Sequence, residues 1–305
     1  MYFPYFRGRQ YELLALKELA TEKLISENII PVIEPIKITS ALDRAVEAFG
    51  GANLPVALIY NPSVGELAGE PKAPLYKYLK CGYVTPSVLI NDSVASCLST
   101  LVAHGISKNN LLTVMDNRDF LVEYTSEFQD EEPQYTLFPD ERQIRRAVKQ
   151  GKVLFEDKFN KQQKNADYQR KEDEFFSEDH LYFKEEGYLG FGDYSIIGND
   201  YSETGFAPRA VAIHIVYLAI DNTLRIQHFI SDSNMDISDV AGKFYEAVSK
   251  LNTWYNNRQE SQLTKGLGTL LNHYKNGTYP GLPTLKKLSI MHHLELMSRF
   301  LNRGK

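Results

Sequence analysis

Eight short apolar runs recur through the first two thirds of the chain, and segments of helical period stand between them. The runs place strands at Tyr2–Arg7, Ile29–Ile36, Leu54–Tyr60, Pro86–Ile90, Leu111–Met115, Tyr135–Phe138, Lys152–Phe155 and Tyr188–Phe191. The intervening helices are expected at Gln10–Lys23, Ser40–Phe49, Ser93–His104 and Glu141–Gln150, each with an apolar stripe. Ser40 with Asp43 three residues on reads as a capping box with Asp in place of Glu. Gly105 and Gly151 are natural helix stops. Alternation of this kind with short connections builds parallel sheets from βαβ units, and eight units in about 200 residues is what a (β/α)8 barrel requires. The fold class expected is therefore α/β, a TIM-barrel-like (β/α)8 architecture. An open doubly wound sheet is the rival, but no GxGxxG follows the first strand, so a nucleotide-cofactor motif is lacking.

Two stretches break the rhythm. Between Glu156 and Glu186, 16 of 31 residues are charged, which predicts an exposed, largely helical insertion or a lid. Ala210–Ala219 and Thr223–Ile230 then alternate like strands and meet at Asp221-Asn222, an expected extra β-hairpin over 210–230. Beyond it the chain reads as helices at Val240–Tyr255, Gln259–Tyr274 and Leu285–Asn302. The organisation expected is a barrel domain over 1–239, carrying the insertion 156–186 and the hairpin, followed by a C-terminal helical extension over 240–305.

With 34 Lys and Arg against 39 Asp and Glu, the formal charge is −5. That balance opposes a general nucleic-acid coat while leaving a local basic groove open. Cys81 and Cys97 are too few for a disulfide scaffold or a zinc site and suit a reducing cytoplasm. The first residues hold charges where a signal peptide needs an apolar core, and no apolar run nears the roughly 20 residues that span a bilayer.

Polar residues close nearly every strand: Glu34, Asn61, Asn91-Asp92, Asp116, Asp140, Glu156-Asp157 and Asp193. In a barrel these ends converge on the rim where active sites form. Carboxylates gathered there could hold Mg²⁺ or Mn²⁺, which take oxygen ligands. Asp92, Asp116 and Asp140 also fit as helix caps, and that reading leads for them. Glu is a poor cap, so Glu34, between Pro31 and Pro35, stands out as functional. The candidate catalytic residues are Glu34, Asp157, Asp193 and Tyr194, with Glu34, Asp157 and Asp193 as candidate metal ligands. Arg7, Arg9 and Arg209 are the candidate ligands for a small anionic molecule, since guanidinium groups pair with phosphate or carboxylate. The glycines of Gly190-Phe191-Gly192 call for close backbone approach, to either a ligand or a packed neighbour.

Pro139-Asp140, fifteen residues, then Glu156-Asp157-Lys158 also spells a PD-(D/E)xK nuclease signature, although that core joins its halves through a β-turn and Glu141–Gln150 reads as a helix. His214 and His228 lie on opposite arms of the hairpin and are expected to face each other, as a structural pair ahead of a metal or general-base role. His292-His293 is expected at the surface or in packing, and Trp254, Tyr255 and Tyr245 in the core.

Tyr2-Phe3-Pro4-Tyr5-Phe6-Arg7-Gly8-Arg9-Gln10, Pro31-Val32-Ile33-Glu34-Pro35-Ile36 and Gly192-Asp193-Tyr194-Ser195 together resemble the beta-protein-like family of phages and bacteria, over most of residues 1–232. The resemblance implies a barrel-like fold and a mobile or phage-defence gene context with a nuclease-like companion protein as partner. It carries over no catalytic residue. The functions expected are a phosphoester hydrolase or nucleotide-type barrel acting on or binding a phosphorylated ligand, then a recognition module without turnover, then the nuclease.

Overall fold

Prolines set the length of the first strands. Pro4, Pro31 and Pro35 have no amide hydrogen to give a ladder, so β1 spans only Tyr5–Phe6 and β2 only Val32–Ile33. Their carbonyls still serve: Val32 N–H donates to Pro4 and Ala57 N–H to Pro31, both at 2.9 Å. The computed structural model describes residues 1–69, 72–202, 208–258 and 262–303, and the chain divides into two units. The first comprises Met1–Asp157 and Asp179–Tyr194, the second Lys158–Glu178 and Ser195–Lys305.

In the first unit, α1 (Gln10–Thr21) follows β1 and α2 (Ser40–Ala52) follows β2. Next come β3 (Val56–Ile59), β4 (Val84–Leu89), α3 (Val94–Ala103) and β5 (Leu112–Val114). The series continues with α4 (Leu121–Glu127), β6 (Tyr135–Phe138), α5 (Arg142–Ala147) and β7 (Lys152–Phe155). The chain leaves this unit for β8 (Asp173–Ser177) and returns as α6 (Asp179–Tyr182) and β9 (Gly190–Gly192).

Every pairing from β1 through β7 to β9 is parallel, and the sheet is nearly closed into a barrel. A parallel bridge between Tyr2 and Phe191 brings its edges together, with Phe3 N–H on Phe191 and Tyr5 N–H on Asp193, both at 2.8 Å. The (β/α)8 TIM-barrel-like fold read from the sequence is the fold observed. The glycines of β9 make the seam: a Cβ on Gly192 would stand 2.4 Å from the Phe3 carbonyl, and one on Gly190 2.7 Å from that of Met1. The close neighbour that they admit is backbone, not ligand.

Alternate strand residues, among them Val32, Ala57, Ile59, Val114, Leu137, Val153 and Phe155, join Phe3 and Tyr5 in one buried cluster. That is the period-2 pattern of a filled barrel interior. The other face of the strands, with Phe6, Ile33 and Leu58, is equally buried, as parallel strands under helices must be. Helix α1 turns Leu13, Leu16 and Leu19 inward, and the Glu12 side chain accepts the Arg9 N–H at 3.2 Å. Helix α2 is capped one residue earlier than expected: Thr39 Oγ1 accepts from Leu42 N–H at 3.2 Å, while Asp43 binds Lys77 and Tyr78 instead.

The second unit is built on an antiparallel sheet in the order β10 (Ala212–Leu218), β11 (Leu224–Ile230), β8. The hairpin turns at Asn222, in the left-handed region at φ 64°, with Asp221 accepting the Thr223 N–H. The charged stretch 156–186 is therefore not a largely helical insertion. Its middle is a strand, burying Glu174 and Phe176 and exposing Asp173 and Phe175, and density of charge masked that alternation. The hairpin and Lys158–Glu178 fold with the C-terminal helices, so the boundary expected at 239/240 is not where the contacts divide.

Those helices are α7 (Val240–Asn256), α8 (Lys265–Asn276) and α9 (Leu282–Leu301), with 259–261, where the second was expected to begin, outside the described residues. His292 and His293 are core, not surface. His292 donates from Nε2 to the Val216 carbonyl at 2.7 Å and bonds Thr264 through Nδ1 at 2.8 Å; His293 Nδ1 lies 2.9 Å from Ser195 Oγ. Tyr245, expected in the core, is exposed.

Candidate functional site at the carboxyl end of the barrel

A cavity of about 210 Å³ opens where the barrel strands end, lined by Tyr5, Arg7, Ser63, Asn91, Asp116 and Tyr194 with Leu89, Val114 and Phe120. All of them but Phe120, which precedes α4, lie on a strand or within a few residues after one, at the rim where the fold collects its loops. At about 30 Å³ per water, the space equals about seven waters, enough for a small molecule.

Glu34 organises one wall. It is fully buried and its two oxygens accept four hydrogen bonds. Oε2 takes the Tyr5 hydroxyl at 2.7 Å and the Arg7 guanidinium; Oε1 takes the Ser63 N–H at 2.6 Å and its hydroxyl at 2.8 Å. A carboxylate offers about four lone-pair sites, so these donors fill it. Glu34 thus positions Arg7 and Ser63, and the acid–base role expected of it has no free acceptor to work with. Gly8 makes the approach possible: at φ 63° it holds a left-handed turn, and a Cβ there would stand 3.0 Å from the Glu34 carbonyl.

Arg7 keeps 13% of its side chain exposed and lies 5.5 Å from the Tyr5 ring centre and 5.9 Å from that of Tyr194. Burial works against its charge, but Tyr5 and Glu34 outweigh it and the Arg7 pKa moves upward. Burial, then the Glu34 charge, push the Tyr5 hydroxyl far above its ordinary value. Tyr194 is also pushed up by burial, with Arg7 pulling the other way. Its ring packs on Tyr5 and Phe155, it is 5% exposed, and its hydroxyl bonds no described residue although it lines the cavity.

Asn61 and Asn91 brace the opposite wall. The Asn61 side chain accepts the Leu89 N–H at 2.8 Å and donates to the Leu89 carbonyl at 2.9 Å, tying β3 to β4 beyond their ladder. Asn91 Oδ1 accepts from Asn61, from Ser93 N–H and from Ser93 Oγ, so its Nδ2 remains as a donor at the cavity. None of the three Asp residues expected as caps holds a helix end. Asp92 and Asp116 are exposed, and the short helix after Asp116 is capped by Asn117. Asp140 accepts from Arg145 at 3.1 Å and from Tyr188 at 2.6 Å.

The other expected site residues separate. Asp193 is buried and accepts the Tyr2 hydroxyl at 2.7 Å, Asp157 is exposed, and neither lines this cavity. Among the described residues no group of three or more His, Cys, Asp or Glu is placed to hold a metal ion, which includes Glu34, Asp157 and Asp193. Arg9 opens α1, while the exposed Arg209 belongs to the second unit, and residues 203–207 before it lie outside the described residues. For the nuclease signature, β6 and β7 run parallel with α5 between them, where that core needs a β-turn. Sequence reasoning missed Tyr5 and Ser63, since neither residue type marks a site until Glu34 is seen between them.

No family model matches the chain. Neither does any curated protein or any solved structure. Nothing in these comparisons identifies the beta-protein-like family that the three quoted segments led us to expect. Among the described residues no helix is long and apolar enough to cross a membrane.

Proposed function

We propose that the carboxyl end of the barrel binds a small phosphorylated ligand carrying at least one hydroxyl. The observation that carries this reading is that the Tyr194 hydroxyl, which bonds no described residue, and the partly exposed Arg7 side chain line the same cavity. Glu34 already balances Arg7, and Asp116 adds a negative charge to the lining, so a bare anion is held weakly. A ligand that turns a phosphate oxygen to Arg7 and Tyr194 and a hydroxyl to Asp116 satisfies both sides. One charge-assisted hydrogen bond and one neutral one contribute about 3–4 kcal/mol, which corresponds to affinities on the order of millimolar for a simple phosphate ester. Recognition is favoured over hydrolysis because every acceptor site of Glu34 is filled.

Thermal titration with inorganic phosphate and with phosphate monoesters tests this. The unfolding midpoint should rise with a hydroxyl-bearing ester, by mass action, and the rise should shrink in Tyr194→Phe. Curves that stay flat for every ester, or that are identical in Tyr194→Phe, would overturn it.

A further inference from the structure

A second constellation lies wholly within the second unit. His214 on β10 and His228 on β11 are directly opposite in register, and their Nδ1 atoms are 2.7 Å apart. His228 Nε2 lies 3.2 Å from Glu174 Oε1, and Glu174 Oε2 accepts from Lys171 at 2.9 Å and Asn160 at 3.3 Å. Aromatic rings clamp both imidazoles: the Tyr168 centre is 4.7 Å from His214 and 4.6 Å from His228, and Phe159 meets His214 edge-on at 5.2 Å.

The tautomers follow from that bonding. Glu174 can only accept, so His228 Nε2 carries a proton and donates it. Burial lowers the His228 pKa despite the raising influence of Glu174, which leaves this ring neutral with Nδ1 as an acceptor. His214 must then donate from Nδ1, and its Nε2 is left with a bare lone pair. His214 is also held neutral, pushed far down by burial, by His228 and by Lys286. Nε2 bonds no described residue, and His214 lines a cavity of about 230 Å³ together with Lys161, Asn165, Tyr168, Lys286 and Ser289. A purely structural cross-strand pair needs no such opening. Here the residue that carries a fixed acceptor lines a space also lined by two lysines, Lys161 and Lys286.

We propose that this cavity is a second ligand site, taking a small anionic molecule that carries a hydroxyl, its anionic group on Lys161 and Lys286 and its hydroxyl donating to His214 Nε2. The site is independent of the barrel end. Glu174 and His228 are positioning residues: they fix which nitrogen of His214 is bare.

The test uses the full chain as Tyr194→Phe, which weakens the barrel end, and reads binding at His214 itself, with ¹⁵N-labelled histidine and two probes, glycerol 3-phosphate and methyl phosphate. The free protein should show His214 Nε2 as an unprotonated nitrogen. Glycerol 3-phosphate should shift that signal and bind about fivefold more tightly than methyl phosphate, the difference that one hydrogen bond makes. Lys286→Ala should weaken both probes alike, and Glu174→Gln should disturb the His214 tautomer without removing the anion site. A protonated Nε2 in the free protein, equal affinity for the two probes, or no His214 response to either would overturn the proposal.

Discussion

Replacing Glu34 with Gln keeps the shape of the side chain and removes the charge on which the barrel end is organised. Gln offers one acceptor oxygen, so its amide must face either Tyr5 and Arg7 or the two Ser63 donors, donor against donor. In the first orientation the guanidinium loses its partner while keeping only 13% of its side chain exposed; Glu34 itself has none. Removing one member of a buried pair costs about 3–5 kcal/mol, and the residual exposure of Arg7 places this case at about 3 kcal/mol. Trp254 is the sole tryptophan and lies in the second unit, so its fluorescence does not report this loss. Native-state hydrogen exchange at the β2 and β3 amides does. The cycle is completed with Arg7→Met: in the double variant the penalty should be at least 2 kcal/mol smaller than the two single losses together, because the charge left unpaired by Glu34→Gln is then gone. A Glu34→Gln loss below about 1 kcal/mol, or strictly additive single losses, would refute the view that Glu34 holds this wall together.

Three further outcomes follow from particular contacts. Gly192→Ala drives a methyl against the Phe3 carbonyl at the barrel seam and should destabilise the first unit by about 1–3 kcal/mol or more, seen as faster exchange at Tyr5 and Phe3; an unchanged rate there would contradict the seam. Asn61→Ala strips the Leu89 N–H of its partner and should cost about 1–3 kcal/mol, measured by denaturant unfolding, with a neutral result counting against the brace. His292 is pushed down by burial to about 4, and His214 is lowered too, so the unfolded chain binds more protons than the folded one below the ordinary histidine value of 6.5. Stability of the second unit should therefore fall as pH drops from about 6.5 towards 4, by up to about 3 kcal/mol from His292 alone, and Trp254 fluorescence in urea should show it. A flat profile would contradict a buried, neutral His292.

Much of the barrel was legible because local chemistry and global topology agree. Tyr135–Phe138 and Lys152–Phe155 are strands to the residue, bounded by Pro139 on one side and by Gly151 on the other. Pro86 misled: it reads as a strand start, yet β4 begins two residues earlier, at Val84. β8 was hidden for a different reason, since alternation of buried Glu174 and Phe176 with exposed Asp173 and Phe175 looks in sequence like one charged run. At the site, Glu34, Arg7 and Tyr194 were visible as unusual residues at strand ends. What they do was not visible, because it depends on Ser63 arriving from a loop 29 residues later to fill the other side of the carboxylate. Asp157 and Asp193 share the same kind of position in sequence but not the same cavity.

The most direct test of the barrel-end account is the NMR signal of Tyr194 in protein labelled with ¹³C at the tyrosine Cζ atoms, titrated with glycerol 3-phosphate. The account predicts that the Tyr194 resonance moves and saturates in the millimolar range, and that Arg7→Met removes the movement. A Tyr194 resonance that stays fixed while the ester reaches saturation elsewhere on the protein would contradict it.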